Sequence, residues 1–292
     1  MAIILRVIAL VFLATLDGCQ AIRFDEESLI HPDQQIPHAG KPTTRPLARQ
    51  SSFATLAPGY ESSPVAFTHA DGNISRGMYF HRPGATVTVL FFGGNSFRLD
   101  DDAESAQYIS ALSRSGVDLV IFDHRGYGRS GGAATAALLA SDGLDLYDDA
   151  RARVKTKLIV YGHSLGSLIA PYIAQRRKLD GMVLEGTITN MEDFADTFLP
   201  RYLAPFINVT VDEQLLWIDN AKALKQYTAP ILLISGQDDD VMSPALAKKL
   251  YDAVGSNDKT FKLVPGYGHN NLNTSPDYLE SCQTFFKKVG ES

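Results

Sequence analysis

The sequence predicts an α/β fold with a mostly parallel central sheet and helices on both faces. Short apolar runs rich in β-branched residues alternate with longer segments of helical spacing from residue 65 onward. Repeated strand-then-helix units imply parallel pairing, because a parallel strand must be reached by a crossover. The chain has 292 residues, 45% hydrophobic and 21% charged, which is ordinary globular chemistry. No internal repeat or long linker follows Pro58, so residues 59–292 are expected to form one domain.

Each element has its own signal. Residues 65–80 read as a hairpin, with Asp71-Gly72-Asn73 at its turn. Residues 86–92 and 117–122 are buried strands. Residues 103–114, between them, have helical spacing and end near Gly116. A helix is expected over 141–153 with Ser141 as its N-cap, then a strand over 157–161 and a helix over 164–175. Short strands follow at 181–184, 230–234 and 259–264, with helices at 244–254 and 276–288. Cys282 is expected inside that last helix as a buried core residue.

The charge balance is 27 basic against 33 acidic residues, a formal net of -6, which argues against a nucleic-acid partner. Two cysteines, Cys19 and Cys282, make neither a disulfide scaffold nor a four-cysteine zinc site. Met1 to Leu16 carries one basic residue, Arg6, ahead of an apolar run ending at Leu16. A bilayer span needs about 20 apolar residues, so the run fits a signal peptide, residues 1–18, better than a membrane helix. Leu16-Asp17-Gly18-Cys19 resembles a bacterial lipoprotein box, which implies acylation of Cys19 and a lipid anchor at the cell envelope. Residues 19–58, with Pro32, Pro37, Pro42, Pro46 and Pro58, are expected as a tether.

Gly162-His163-Ser164-Leu165-Gly166 matches G-x-S-x-G. It follows a predicted strand and opens a predicted helix, the context of a nucleophile elbow. A nucleophilic serine needs a base, and the base needs an orienting acid. Of seven histidines, His269 sits in a glycine-rich loop between the last strand and the last helix. The acid should follow the strand 230–234, where Asp238, Asp239 and Asp240 stand side by side. Periodicity does not choose among them.

Taken together, Gly162–Gly166, Gly236-x-x-Asp239-x-Val241, Gly268-His269 and the loop Asp123-His124-Arg125-Gly126-Tyr127-Gly128 make the chain similar to the α/β-hydrolase superfamily of serine hydrolases. The resemblance is to compact members with a small lid. It implies an α/β-hydrolase fold with a short cap insert at about residues 186–229. It also implies Asp239 as the acid, ahead of Asp240 and Asp238. The oxyanion hole would use the backbone N–H groups of Leu165 and Asn95, with Gly94 as the alternative to Asn95. Phe92 stands where such loops often carry histidine. Each such donor is worth about 3 kcal/mol in the transition state.

Gly126-x-Gly128-x-x-Gly131 also matches a dinucleotide fingerprint, but no strand ending in an acid follows it. Tight turning of the loop is the better reading. In the cap, Phe194, Phe198, Tyr202, Phe206 and Trp217 are candidates for an apolar substrate wall or for core packing. Glu185 and Asp123, at strand ends, read as hydrogen-bonded structural carboxylates.

The expected activity is that of a carboxylesterase-like serine hydrolase acting on a small-molecule acyl substrate, with no cofactor and no metal. Thioester and peptide bonds are alternatives on the same triad. A non-catalytic binding protein on the same fold is the alternative of another class.

Overall fold

The computed structural model describes residues 21–33, 50–95, 97–99, 104–199 and 208–292. Met1 to Leu16 and the acylation candidate Cys19 lie outside the described residues, as do Tyr202 and Phe206. Among the described residues no helix is long and apolar enough to cross a membrane.

Ten strands are described. They are β1 (Ala21–Phe24), β2 (Glu61–Thr68), β3 (Ile74–His81), β4 (Val87–Phe92), β5 (Asp118–Phe122), β6 (Lys157–His163), β7 (Gly181–Glu185), β8 (Asn208–Val211), β9 (Ile231–Gly236) and β10 (Lys259–Val264). Eight of them form the main sheet in the order β10-β9-β7-β6-β4-β5-β3-β2. Its neighbours are parallel except where β3 meets β5 and β2. The predicted α/β class with a mostly parallel sheet therefore holds.

The apolar runs are continuous because both sheet faces are covered. Leu90, Val120, Val160, Leu184 and Leu233 point into one core, which includes the helices Ala136–Arg153 and Gly166–Ala174. The alternate residues Val89, Ile121, Tyr161, Val183 and Ile234 point into the other, with Glu104–Ser113 and Pro276–Gly290. Cys282 lies buried in that second core.

Two local expectations are corrected. The helix expected from Ser141 begins at Ala136, because Thr135 caps it by accepting from the Leu138 N–H at 3.2 Å. Ala136, Leu139 and Ala140 are buried and form the first turns of the helix. Ser141 Oγ donates back to Leu138 O within it.

The second correction concerns the expected tether. Within residues 21–33, Phe24, Leu29 and Ile30 are buried in the first core, and β1 pairs in parallel with β8 of the cap. Helix Gln50–Leu56 brings Phe53 into the second core. Apolar residues at irregular spacing can still be buried when they pack on an existing surface. The domain thus takes in chain on the N-terminal side of residue 59.

Candidate active site

The site forms where β6 turns into the helix Gly166–Ala174. Ser164 is the only described non-glycine residue with positive φ, at 52°. Such a conformation is costly for a side-chain-bearing residue and is a recognised mark of functional strain. The two flanking glycines make the turn sterically feasible. A Cβ on Gly162 would lie 2.3 Å from Gly166 O, and one on Gly166 would lie 2.1 Å from Phe92 O. Hydrogen bonds lock the turn: Ser164 N–H donates to Glu185 O at 2.9 Å, and Gly166 N–H to Gly93 O at 3.1 Å.

His269 hangs from the loop after β10, as the sequence placed it. Its Nε2 is 2.8 Å from Ser164 Oγ, and its Nδ1 is 2.8 Å from Asp239 Oδ2. All three side chains are buried. Asp239 is fixed in turn, because its Oδ1 accepts from the N–H groups of Val241 and Met242 at 2.9 and 2.8 Å. That leaves Oδ2 for the imidazole. Asp238 and Asp240 are exposed. The structure therefore brings Ser164, His269 and Asp239 together and leaves the other two aspartates outside the chain of hydrogen bonds.

The loop Gly93-Gly94-Asn95 lies against the nucleophile. A Cβ on Gly94 would be 3.3 Å from the Cβ of Ser164 and 3.1 Å from the His163 ring. His124 Nε2 lies 2.9 Å from Gly93 O and holds the loop from below; burial lowers the His124 pKa. Leu165 and Asn95 both line the cavity in front of Ser164.

Gly186 had no sequence signal, and the packing of the other neighbours of the triad is given only by the fold. Gly186, at φ +55°, lies against the base, since a Cβ there would be 2.9 Å from His269 Cε1. His163 is buried between Tyr108 and His269, with ring centroids 5.1 and 5.2 Å away. Burial, then the proximity of His269, pushes its pKa down to about 3. Glu185 is held by the hydroxyls of Tyr108 and Tyr161, which donate to its two oxygens at 2.9 and 2.6 Å. Burial raises its pKa to about 7, against the opposing effect of those two bonds. Asp123, the other strand-end carboxylate, accepts from Leu99 N–H and Arg129 N–H and shapes its own loop. Gly128, at φ +52°, is required there, because a Cβ would meet Asp123 Oδ2 at 2.4 Å.

The cavity in front of Ser164 has a volume of about 510 Å³, and its lining includes Ser164, His269, Phe24, Leu29, Phe194 and Phe198. That is the size and mostly apolar character of a small-molecule site. Of the cap aromatics, Phe194 and Phe198 line it, whereas Trp217 is 37% exposed and packs edge-on to Tyr172.

A second relay lies elsewhere. Ser75 Oγ is 2.8 Å from His69 Nε2, and His69 Nδ1 is 2.9 Å from Asp145 Oδ2. Ser75 has no positive φ and lines no part of the cavity. His69, Asp142 and Asp145 also have the spacing of a metal-ligand group. Arg125, however, donates to both oxygens of Asp142 at 2.7 Å, which satisfies that carboxylate. Both features read as a buried polar network behind the hairpin.

An eight-stranded sheet with one antiparallel strand, a strained serine at a strand-to-helix turn and a histidine from the last loop define an α/β hydrolase. The family described as Hydrolase_4: Serine aminopeptidase, S33 matches residues 103–213 and 216–275, and the chain belongs to it. The chain is 27% identical over 209 residues to protein bem46 of Schizosaccharomyces pombe, covering 70% of this chain and 68% of that one. It is 28% identical over 222 residues to the lysophosphatidylserine lipase ABHD12 of Danio rerio, covering 68% of this chain and 58% of that one. Among solved structures it resembles the Pyrococcus furiosus esterase PF2001, with TM-score 0.64, 18% identity, and 78% and 91% of the two chains covered. Mouse α/β hydrolase domain-containing protein 10 gives TM-score 0.61 at 16% identity, covering 78% and 99%. Membership of this family supports a hydrolase function of the serine type.

Proposed function

We propose that the chain hydrolyses ester bonds of small acyl substrates, with Ser164 as nucleophile, His269 as general base and acid, and Asp239 as the orienting acid. One observation carries this reading: the hydrogen-bond chain Asp239–His269–Ser164 ends at a strained serine that lines an apolar cavity of about 510 Å³.

Ser164 Oγ attacks the acyl carbon as His269 Nε2 takes its proton. The imidazolium that forms is stabilised by Asp239, which also fixes the tautomer with Nδ1–H toward the carboxylate. The oxyanion is held by the backbone N–H groups of Leu165 and Asn95. His269 then gives its proton to the leaving alkoxide. Water, activated by the same imidazole, clears the acyl-enzyme.

A fluorophosphonate probe tests this. Covalent labelling at Ser164, absent in Ser164→Ala, is the expected result, and labelling at another residue overturns the assignment. Esters, thioesters and aminoacyl anilides assayed side by side identify the leaving group, because the triad itself does not choose it. A chain that binds ligand but never labels is the non-catalytic alternative.

Export through residues 1–18 and lipid anchoring at Cys19 complete the proposal, on the strength of the sequence from Met1 to Cys19. Incorporation of labelled fatty acid, lost in Cys19→Ser, is the result expected. A wild-type chain that takes up no label excludes the anchor.

A further inference from the structure

The N-terminal segment, residues 21–33, adds no strand to the main sheet, yet it contributes Ile22, Phe24, Leu29 and His31 to the cavity in front of Ser164. It is fastened at both ends. β1 pairs with β8 in register Phe24↔Val211, and Asp212 N–H donates to Phe24 O. Asp33 accepts from Arg98 Nε at 2.7 Å and from Gly128 N–H at 3.0 Å. Between these points Phe24 packs on both cap rings. It lies 5.7 Å edge-on from Phe194 and 5.7 Å stacked on Phe198.

The same segment grips the oxyanion loop through one side chain. Asn95 Nδ2 donates to Leu29 O at 2.8 Å and to His31 Nδ1 at 2.7 Å. Asn95 Oδ1 accepts from His31 N–H at 2.9 Å and from Tyr127 OH at 2.6 Å. A primary amide has two donor hydrogens and two acceptor lone pairs, so all its capacity is used. Three of the four bonds run to the segment. Asn95 is one residue beyond Gly94, where an added Cβ would lie 3.3 Å from Ser164 Cβ, and its own N–H is the proposed oxyanion donor.

We propose that residues 21–33 form a specificity strap. Phe24 and Leu29 form the wall that sets the length of aliphatic acyl chain accepted, and the strap holds the oxyanion loop in place through Asn95. Asn95 thereby has two roles, a backbone donor and a side-chain positioning group. The inference deepens the serine-hydrolase reading and rests on it.

The test uses the full chain and p-nitrophenyl esters from acetyl to lauroyl, with kcat and KM measured for each. Phe24→Ala enlarges the cavity and moves the preferred chain to a longer acyl group, and Leu29→Trp fills it and moves the preference shorter. Asn95→Ala keeps the backbone N–H but frees the loop. It lowers kcat about tenfold or more on every ester while KM changes by about twofold or less, the split expected when a transition-state contact is disturbed. Tyr127→Phe removes one of the four bonds with little change in packing, and gives a smaller fall in kcat of the same kind. This keeps the test decisive if Asn95→Ala does not fold. An unmoved chain-length profile in Phe24→Ala and Leu29→Trp overturns the wall. Unchanged kcat in Asn95→Ala, or in Tyr127→Phe where the alanine variant does not fold, overturns the positioning role. An active wild type with unmoved variants sinks the strap alone. A wild type that neither labels nor hydrolyses any ester sinks the serine-hydrolase reading and the strap with it.

Discussion

His269 Nδ1 lies 2.8 Å from Asp239 Oδ2, while the exposed aspartates on either side of Asp239 stay out of that bond, Asp240 at the lining of the cavity. The turn after β9 decides this. Asp239 Oδ1 is held by two backbone N–H groups of the same turn, which aims the other oxygen at the imidazole.

The three neighbouring aspartates should therefore separate cleanly in a mutant series. Asp239→Asn keeps the shape but favours the wrong imidazole tautomer, and kcat should fall by about 10,000-fold. Asp238→Asn and Asp240→Asn should leave kcat within about twofold of wild type, because neither carboxylate reaches His269. Ester hydrolysis under saturating substrate checks this, and a large loss in Asp240→Asn with an active Asp239→Asn would reassign the acid.

His163 should make stability depend on pH. In the unfolded chain it takes a proton near pH 6.5, whereas burial holds the folded group unprotonated down to about pH 3. Between those values the unfolded state binds more protons, so stability is fully present above pH 6.5 and is lost as pH falls toward 3. His163→Phe retains a ring between Tyr108 and His269 and should flatten that acid limb. Urea denaturation at a series of pH values measures it, and parallel limbs in the two proteins would refute the assignment.

Ser75 should be structural despite its relay with His69 and Asp145. Ser75→Ala leaves His69 Nε2 buried without its partner, a loss of about 1–3 kcal/mol in stability. Ester turnover and fluorophosphonate labelling should be unchanged. A fall in labelling without a fall in stability would show that the second relay takes part in the chemistry.

Much of the site was legible because strand and elbow signals are local. An elbow needs glycines two positions before and after the serine, and residues 162–166 have them. A buried parallel sheet needs continuous apolar runs, and β4, β5, β6, β7 and β9 are such runs. The histidine could be found by elimination, since only His269 follows the last strand. The helix Ala136–Arg153 starts five residues before the expected Ser141 cap, because its small apolar first turns carry little periodic signal and Thr135 takes the cap.

What the tertiary structure alone decided are relationships between distant segments. Adjacent aspartates look alike in the sequence, and it is the folded turn that holds Asp239 Oδ1, together with the approach of the loop bearing His269, 30 residues on, that singles out Asp239. Gly186 is required by a ring that arrives from elsewhere in the chain. Residues 21–33 read as tether because proline-spaced chain has no amphipathic period. Their place against the cavity comes from Phe24 meeting Phe194 and Phe198, and from Asn95 meeting Leu29 and His31 across a separation of 64 to 66 residues. The sequence by itself determined the sheet, the elbow and the order of nucleophile, acid and base, because each depends on residues close together in the chain. The choice of acid and the walls of the cavity depend on contacts that exist only once the chain has folded.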